Sequence, residues 1–186
     1  ILATVEKPAR YIGGEWNSTR KSFADTPCQI AFCFPDVYEV GMSHLGMHIL
    51  YHILNGETAI ACERAFAPWP DLEAEMRRRD IPLLTLESRT PLRQCDILGF
   101  SLEYELSYAT VLRMLSLARI PLLARDRDST MPLVIAGGPC TYNPEPVADF
   151  FDAFVIGDGE EVILEICRAF LSWRNGHGAK QELLEA

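Results

Sequence analysis

The chain has 186 residues, enough for one well-buried domain and too few for two large ones. Apolar residues make up 48% and charged residues 23%, an ordinary globular composition, and the longest apolar runs fall far short of a membrane span. Lys plus Arg number 17 against 26 Asp plus Glu, a net charge of -9, which speaks against a nucleic-acid footprint because phosphate neutralisation needs a positive face.

The opening ILATVEKPARYIGG has no basic stretch followed by an apolar one, so no secretion signal is read there and a cytoplasmic location without membrane contact is expected. Residues 1–27 are polar and aromatic and read as an irregular arm. CQIAFCF (28–34) is an apolar run of strand length, followed by the loop DVYEVG and a helix from about Ser43 to Leu54. TAIACERAF (58–66) reads as a second strand, APWP as a turn, and LEAEMRRR as a short helix whose Arg77, Arg78 and Arg79 suit the negative end of the helix dipole. IPLLTLES (81–88) reads as an edge-like strand and DILGFSL (96–102) as a buried one. In ELSYATVLRMLSLA (105–118) the residues 106, 109, 112 and 115 repeat at the spacing of one helical face. IPLLA and MPLVIAGG read as further strands, and FDAFVI ends a last strand at Ile156 before a helix in which Asp158 and Glu161 have capping-box spacing. Residues 28–174 then form the domain, and 175–186 a tail or the start of a linker.

Short, fully apolar runs separated by helices predict an α/β domain, a doubly wound, mainly parallel sheet of Rossmann-like or flavodoxin-like type. Ligands of such sheets sit outside the carboxyl ends of the strands, so the loops DVYEVG, APWP, SLEYE, GGPCTYNPEP and GDGEE are the places to search. They are rich in glycine and acceptors and poor in cations. No phosphate-binding glycine motif follows the first strand, and Asp158, Glu160 and Glu161 crowd the last helix start, so nucleotide binding is disfavoured. No nucleophile elbow occurs. His44, His48 and His52 fall at i, i+4 and i+8, a spacing able to share a metal, yet the remaining circumference is apolar, and the plain reading is the polar sector of a helix. So apolar a helix asks for cover beyond its own sheet, from the arm or from a partner domain. The six cysteines (28, 33, 62, 95, 140, 167) are scattered, mostly in apolar patterns, and read as reduced buried side chains; Cys140, after a strand, is placed where a ligand could reach it.

KPARYIGGEWN, FPDVYEVGMSHLGMHILYHILN, RAFAPWPDLE, PLRQCDILGFSLEYELSYATVLRML, PLVIAGGPCTYNPEP and DAFVIGDGEEVILEI, taken in order, resemble the N-terminal region of uncharacterised bacterial radical S-adenosylmethionine (radical SAM) proteins that begin with a cobalamin-binding-like domain. The resemblance implies a flavodoxin-like sheet with cobalamin over its carboxyl edge, and a downstream barrel whose C-x3-C-x2-C motif holds a [4Fe-4S] cluster and S-adenosylmethionine. That motif is absent from this sequence, so the chain alone is expected to bind neither and to catalyse nothing. The family pattern D-x-H-x-x-G, a strand-end Ser and a later Gly-Gly falls on Asp36, Tyr38 and Gly41, on Ser101, and on Gly137 with Gly138; Glu103 and Tyr104 join them at the expected edge. Tyr38 stands where the pattern has histidine, and a phenol is a poor ligand for cobalt near neutral pH. The resemblance therefore implies either cobalamin held without a protein ligand below the metal, or a scaffold that shapes the substrate entrance. The competing expectation is an interaction module whose apolar helix docks on the downstream radical SAM domain or on a second copy. A flavin enzyme is weaker, since the first loop lacks a Ser/Thr-rich phosphate cradle.

Overall fold

The computed structural model describes residues 1–176 and 180–184; His177 and part of the tail expected over 175–186 lie outside the described residues. Five strands, β1 Cys28–Phe34, β2 Ile60–Phe66, β3 Ile97–Ser101, β4 Leu133–Gly137 and β5 Ala153–Phe154, form one all-parallel sheet in the order β2-β1-β3-β4-β5. This is the α/β, Rossmann-like arrangement expected from the apolar runs. The chain turns from building outward on one side to building on the other between β1 and β3, the switch point at which such sheets open a crevice.

Alternation along the strands divides the core into two layers. Ile30, Phe32 and Phe34 of β1 pack with Met47, Tyr51 and Leu54 of helix α2 (Leu45–Gly56; α1 is the single turn Tyr38–Gly41) and with Ile163, Cys167 and Phe170 of helix α5 (Val162–Gly176). On the other face Ala31 and Cys33 pack with Met76 of α3 (Pro70–Arg79) and with Val111, Met114 and Leu115 of α4 (Tyr108–Leu117). Cysteines 28, 33, 62, 95 and 167 are buried free thiols, as their apolar settings suggest, and Cys140 is half-buried.

Several elements differ from the sequence reading, each for a local reason. The segment 81–88 is not a strand: apart from one bridge, Leu84 with Pro91, it folds back on itself, and only the Leu86 N–H reaches the β2 carbonyl of Arg64, at 2.7 Å. Pro82 cannot donate to a ladder. IPLLA is not a strand either, because Ile120 closes helix α4. Arg119 takes a left-handed φ of 59°, its N–H bonds the Ser116 carbonyl, and the Ile120 N–H bonds that of Leu115, the Schellman pattern with an arginine where glycine is usual. The buried residues of α4 are Val111, Met114, Leu115 and Leu117, so that of the expected 106, 109, 112 and 115 only Leu115 is among them; Glu105–Ser107 is a separate 3-10 turn that leaves Leu106 84% exposed. Helix α5 starts at Val162, too late for Asp158 and Glu161 to form the expected capping box, and β5 stops at Phe154. Arg77, Arg78 and Arg79 pair with Glu73 and Glu75 on α3, the solvated helix end that was expected.

The arm packs along β2, an end strand. Lys21 Nζ donates to the carbonyls of Glu57 and, at 2.7 Å, of Ile60. Asn55 takes both backbone groups of Cys62, its Oδ1 accepting at 3.1 Å and its Nδ2 donating at 2.9 Å. Glu87 Oε2 accepts the Arg64 N–H at 2.8 Å. Among the described residues no helix is long and apolar enough to cross a membrane.

Candidate functional site

A cleft of about 280 Å³ opens at the carboxyl ends of β1, β3, β4 and β5, between α2 and the loop 157–160. Its apolar floor comes from Phe32, Gly99 and Ile135 of the strands and from Val155 just after β5. Gly99 and Gly137 keep it open, since a Cβ on Gly99 would meet only Phe32, at 3.8 Å, and one on Gly137 only Val155, at 4.0 Å. Leu50 of α2 and Ile163 of α5 form the flanks.

Of the residues singled out in the sequence, Ser101, Glu103, Gly137 and Gly138 line this cleft. Ser101, buried at the end of β3, donates its hydroxyl to Glu103 Oε1 at 2.5 Å. Gly138 has a structural duty: with φ at 99°, a Cβ there would lie 2.8 Å from the Leu102 carbonyl oxygen. The other four sit elsewhere. Asp36 accepts the Tyr104 hydroxyl on Oδ2 at 3.2 Å, tying the loop after β1 to the loop after β3 beside the cleft. Gly41 admits the ring of Phe66, which a Cβ would strike at 2.3 Å. Tyr38 turns toward the arm, donates to Glu15 Oε1 at 2.8 Å and packs edge-on against Phe66. Burial first, then the Glu15 carboxylate, push its phenol up to about 12.

The arm thereby joins a charged cluster behind the loop. Glu15 Oε2 accepts from Arg64 Nη2 at 2.7 Å, and Arg64 also donates to Glu87 Oε1 at 2.6 Å while its guanidinium lies over the Tyr51 ring. Burial opposes ionisation of Glu15, yet the hydrogen bond from Tyr38, its own backbone and the Arg64 charge outweigh it and hold this carboxyl below the ordinary range.

His44 is a cleft residue that the sequence reading placed in a helical stripe. It is instead the N-cap of α2: Met47 N–H donates to His44 Nδ1 at 3.1 Å. An accepting Nδ1 puts the ring proton on Nε2, which lies 3.3 Å from Glu103 Oε1. His48 points away, Nε2 bonding the Met42 carbonyl at 2.8 Å, and His52 is exposed, so the three imidazoles do not converge. Among the described residues no group of three His, Cys, Asp or Glu is placed to hold a metal. The start of α5 is a poor anion site, because the N–H groups of Ile163, Leu164 and Glu165 already bond the carbonyls of Gly159 and Glu161 and because Asp158, Glu160 and Glu161 crowd that helix end. Asp158 and Glu160 stand at the mouth, and among the described residues neither lysine nor arginine lines the cleft. Cys140 lies beside it; burial pushes its thiol up, and nothing cationic activates it.

Around this cleft large apolar side chains face outward. Val40 follows β1, Leu45 starts α2, Tyr104 and Leu106 follow β3, Tyr142 follows β4 and Ile156 follows β5, all exposed on the carboxyl edge. Residues 46–186 match the family model described as radical SAM proteins, N-terminal. The chain belongs to this family. The uncharacterized protein MJ0966 of Methanocaldococcus jannaschii is 24% identical over 140 residues, which are 74% of this chain and 26% of that protein. The chain thus spans about a quarter of the length of that relative. No solved structure matches it. Within this radical SAM N-terminal region, Ser101, Glu103, Tyr104, Gly137 and Gly138 lie in the matched residues, whereas β1 and the loop carrying Asp36, Tyr38 and Gly41 precede them.

Proposed function

We propose that this N-terminal region serves its radical SAM protein as a ligand-holding wall: the carboxyl-edge cleft receives a substrate group, and the apolar rim docks on the remainder of the protein. The observation that carries this reading is the convergence of an open apolar floor, the Ser101–Glu103 pair and an exposed apolar rim at the switch point of the sheet. Cluster and S-adenosylmethionine chemistry belongs elsewhere in the parent protein, since no C-x3-C-x2-C run occurs here.

Cobalamin is the occupant that the family resemblance names, and the residues present do not fit it. Tyr38 faces the arm with its hydroxyl bound to Glu15. His44, the nearest imidazole, spends Nδ1 on a helix cap and carries its proton on Nε2, so neither nitrogen offers a lone pair to cobalt. The nucleotide phosphate would meet Glu103, Asp158 and Glu160 and no cation. Reconstitution with hydroxocobalamin followed by gel filtration tests this. The protein peak is expected colourless; a co-eluting corrin would replace the substrate-wall reading with a cofactor site.

The rim supports the docking half. A radical SAM N-terminal region is by its family one part of a larger protein, and Leu45 and Leu106, 71% and 84% exposed, have no covering surface among the described residues. Mixed with the separately expressed remainder of the parent protein, the chain should co-elute with it, and Leu45→Glu with Leu106→Glu should abolish co-elution. Self-association of the isolated chain through the same residues, with no affinity for the remainder, would favour a self-docking module.

A further inference from the structure

We propose that the cleft selects a small organic cation, a single ring or short chain bearing an amine or amidine, with the Glu103 carboxylate as its anchor. The inference rests on reading the cleft as a ligand site and adds the chemistry of what enters it.

Size comes first. A volume of about 280 Å³ suits one ring or one short chain. Its floor of Phe32, Gly99, Ile135 and Val155 presents no polar side chain, so the inner part of the ligand is apolar. Selection therefore falls to the polar groups above that floor.

Those groups are arranged around one carboxylate. Ser101 donates to Glu103 Oε1, and the protonated Nε2 of His44 faces the same oxygen at 3.3 Å. Ser101 is fixed by β3 and His44 by its cap on α2, so two rigid elements hold the Glu103 head from two sides. Both contacts fall on Oε1, leaving Oε2 to accept from a ligand. A carboxylate held in this way above an apolar floor bonds an ammonium or amidinium more strongly than it bonds a neutral donor.

The surroundings reinforce the sign. Asp158 and Glu160 stand at the mouth, among the described residues no lysine or arginine lines the walls, and the N–H groups of Ile163, Leu164 and Glu165 near the start of α5 are already bonded to backbone carbonyls. An anion entering here meets three carboxylates and neither lysine nor arginine, whereas a cation is drawn in.

Calorimetric titration of the chain with benzamidine, benzoate and phenyl phosphate tests the proposal, because the three probes share a ring and differ in charge. Benzamidine should bind saturably and the two anions should not. Glu103→Gln should weaken benzamidine at least about tenfold with an unchanged unfolding midpoint, and Gly137→Ala, which puts a methyl into the cleft, should weaken it independently; this separates the cleft from cation binding to a chain of net charge -9. Asp25→Asn, on the arm, should leave the affinity unchanged. Binding of an anion in preference to benzamidine, or affinity indifferent to Glu103→Gln and Gly137→Ala, would overturn the charge selection while the cleft reading survives. Binding of none of the three would remove both.

Discussion

Two adjacent glycines show how differently one residue type serves this site. Gly138 holds a positive φ of 99° against the Leu102 backbone, so Gly138→Ala should cost more than about 1 kcal/mol in urea unfolding, the combined effect of strain and contact. Gly137 has neither constraint, and Gly137→Ala should leave the unfolding midpoint within about 0.5 kcal/mol of the parent. Equal losses at the two positions would contradict the geometry. Tyr38 faces the arm, not the cleft, and Tyr38→Phe should cost about 1.5–3 kcal/mol, the net worth of one hydrogen bond to a charged acceptor, without affecting cleft binding. Glu15 gives this contact a pH dependence. Its folded value lies below the ordinary 4.5, so its stabilisation is complete above 4.5 and is lost as pH falls through the depressed folded value. Unfolding measured from neutral pH down to acid should show a loss that Glu15→Gln removes; an identical pH profile in the variant would rule Glu15 out as its source.

At the scale of elements, α4 tests which helical face is buried. Met114 is fully buried against the sheet, so Met114→Ala should cost about 2–5 kcal/mol, whereas Leu106→Ser should stay within about 0.5 kcal/mol, both read from chemical denaturation. The 3.6-residue period marked the helix correctly and its face wrongly, because Leu106 matches the period but sits on the preceding 3-10 turn. The strands β1, β3 and β4 were legible because each is a largely apolar run of strand length with buried residues on both sides, and β2 because apolar residues flank Glu63 and Arg64. Segments 81–88 and 120–124 mimicked them: their leucines and isoleucines serve a folded-back loop and a helix closure, roles that depend on left-handed Arg89 and Arg119, for which arginine gives no signal. Half of the edge residues were found in the cleft because strand ends are predictable in a parallel sheet. His44 was missed because Ser43, the commoner capping residue, precedes it, and the departure of Tyr38 toward Glu15 depends on where the arm runs, which no local pattern encodes.

For the whole molecule, apolar side chains on four post-strand loops make one edge of an acidic protein greasy. The isolated chain should bind a dye that reports apolar surface, and Leu45→Glu with Leu106→Glu should lower that fluorescence without moving the thermal midpoint. Unchanged fluorescence would mean that these residues do not form the patch. The ends of the sheet behave in the opposite way. Along β2 the outward backbone groups of Ile60, Cys62 and Arg64 are occupied one by one by Glu57, Lys21, Asn55, Glu87 and Leu86, and β5 at the far end is two residues long. Among the described residues a foreign strand thus finds most of the β2 edge taken and only a short β5, which works against the usual template for fibril growth. Crowded together, such molecules should gather by their oily faces, in clusters that a mild detergent disperses.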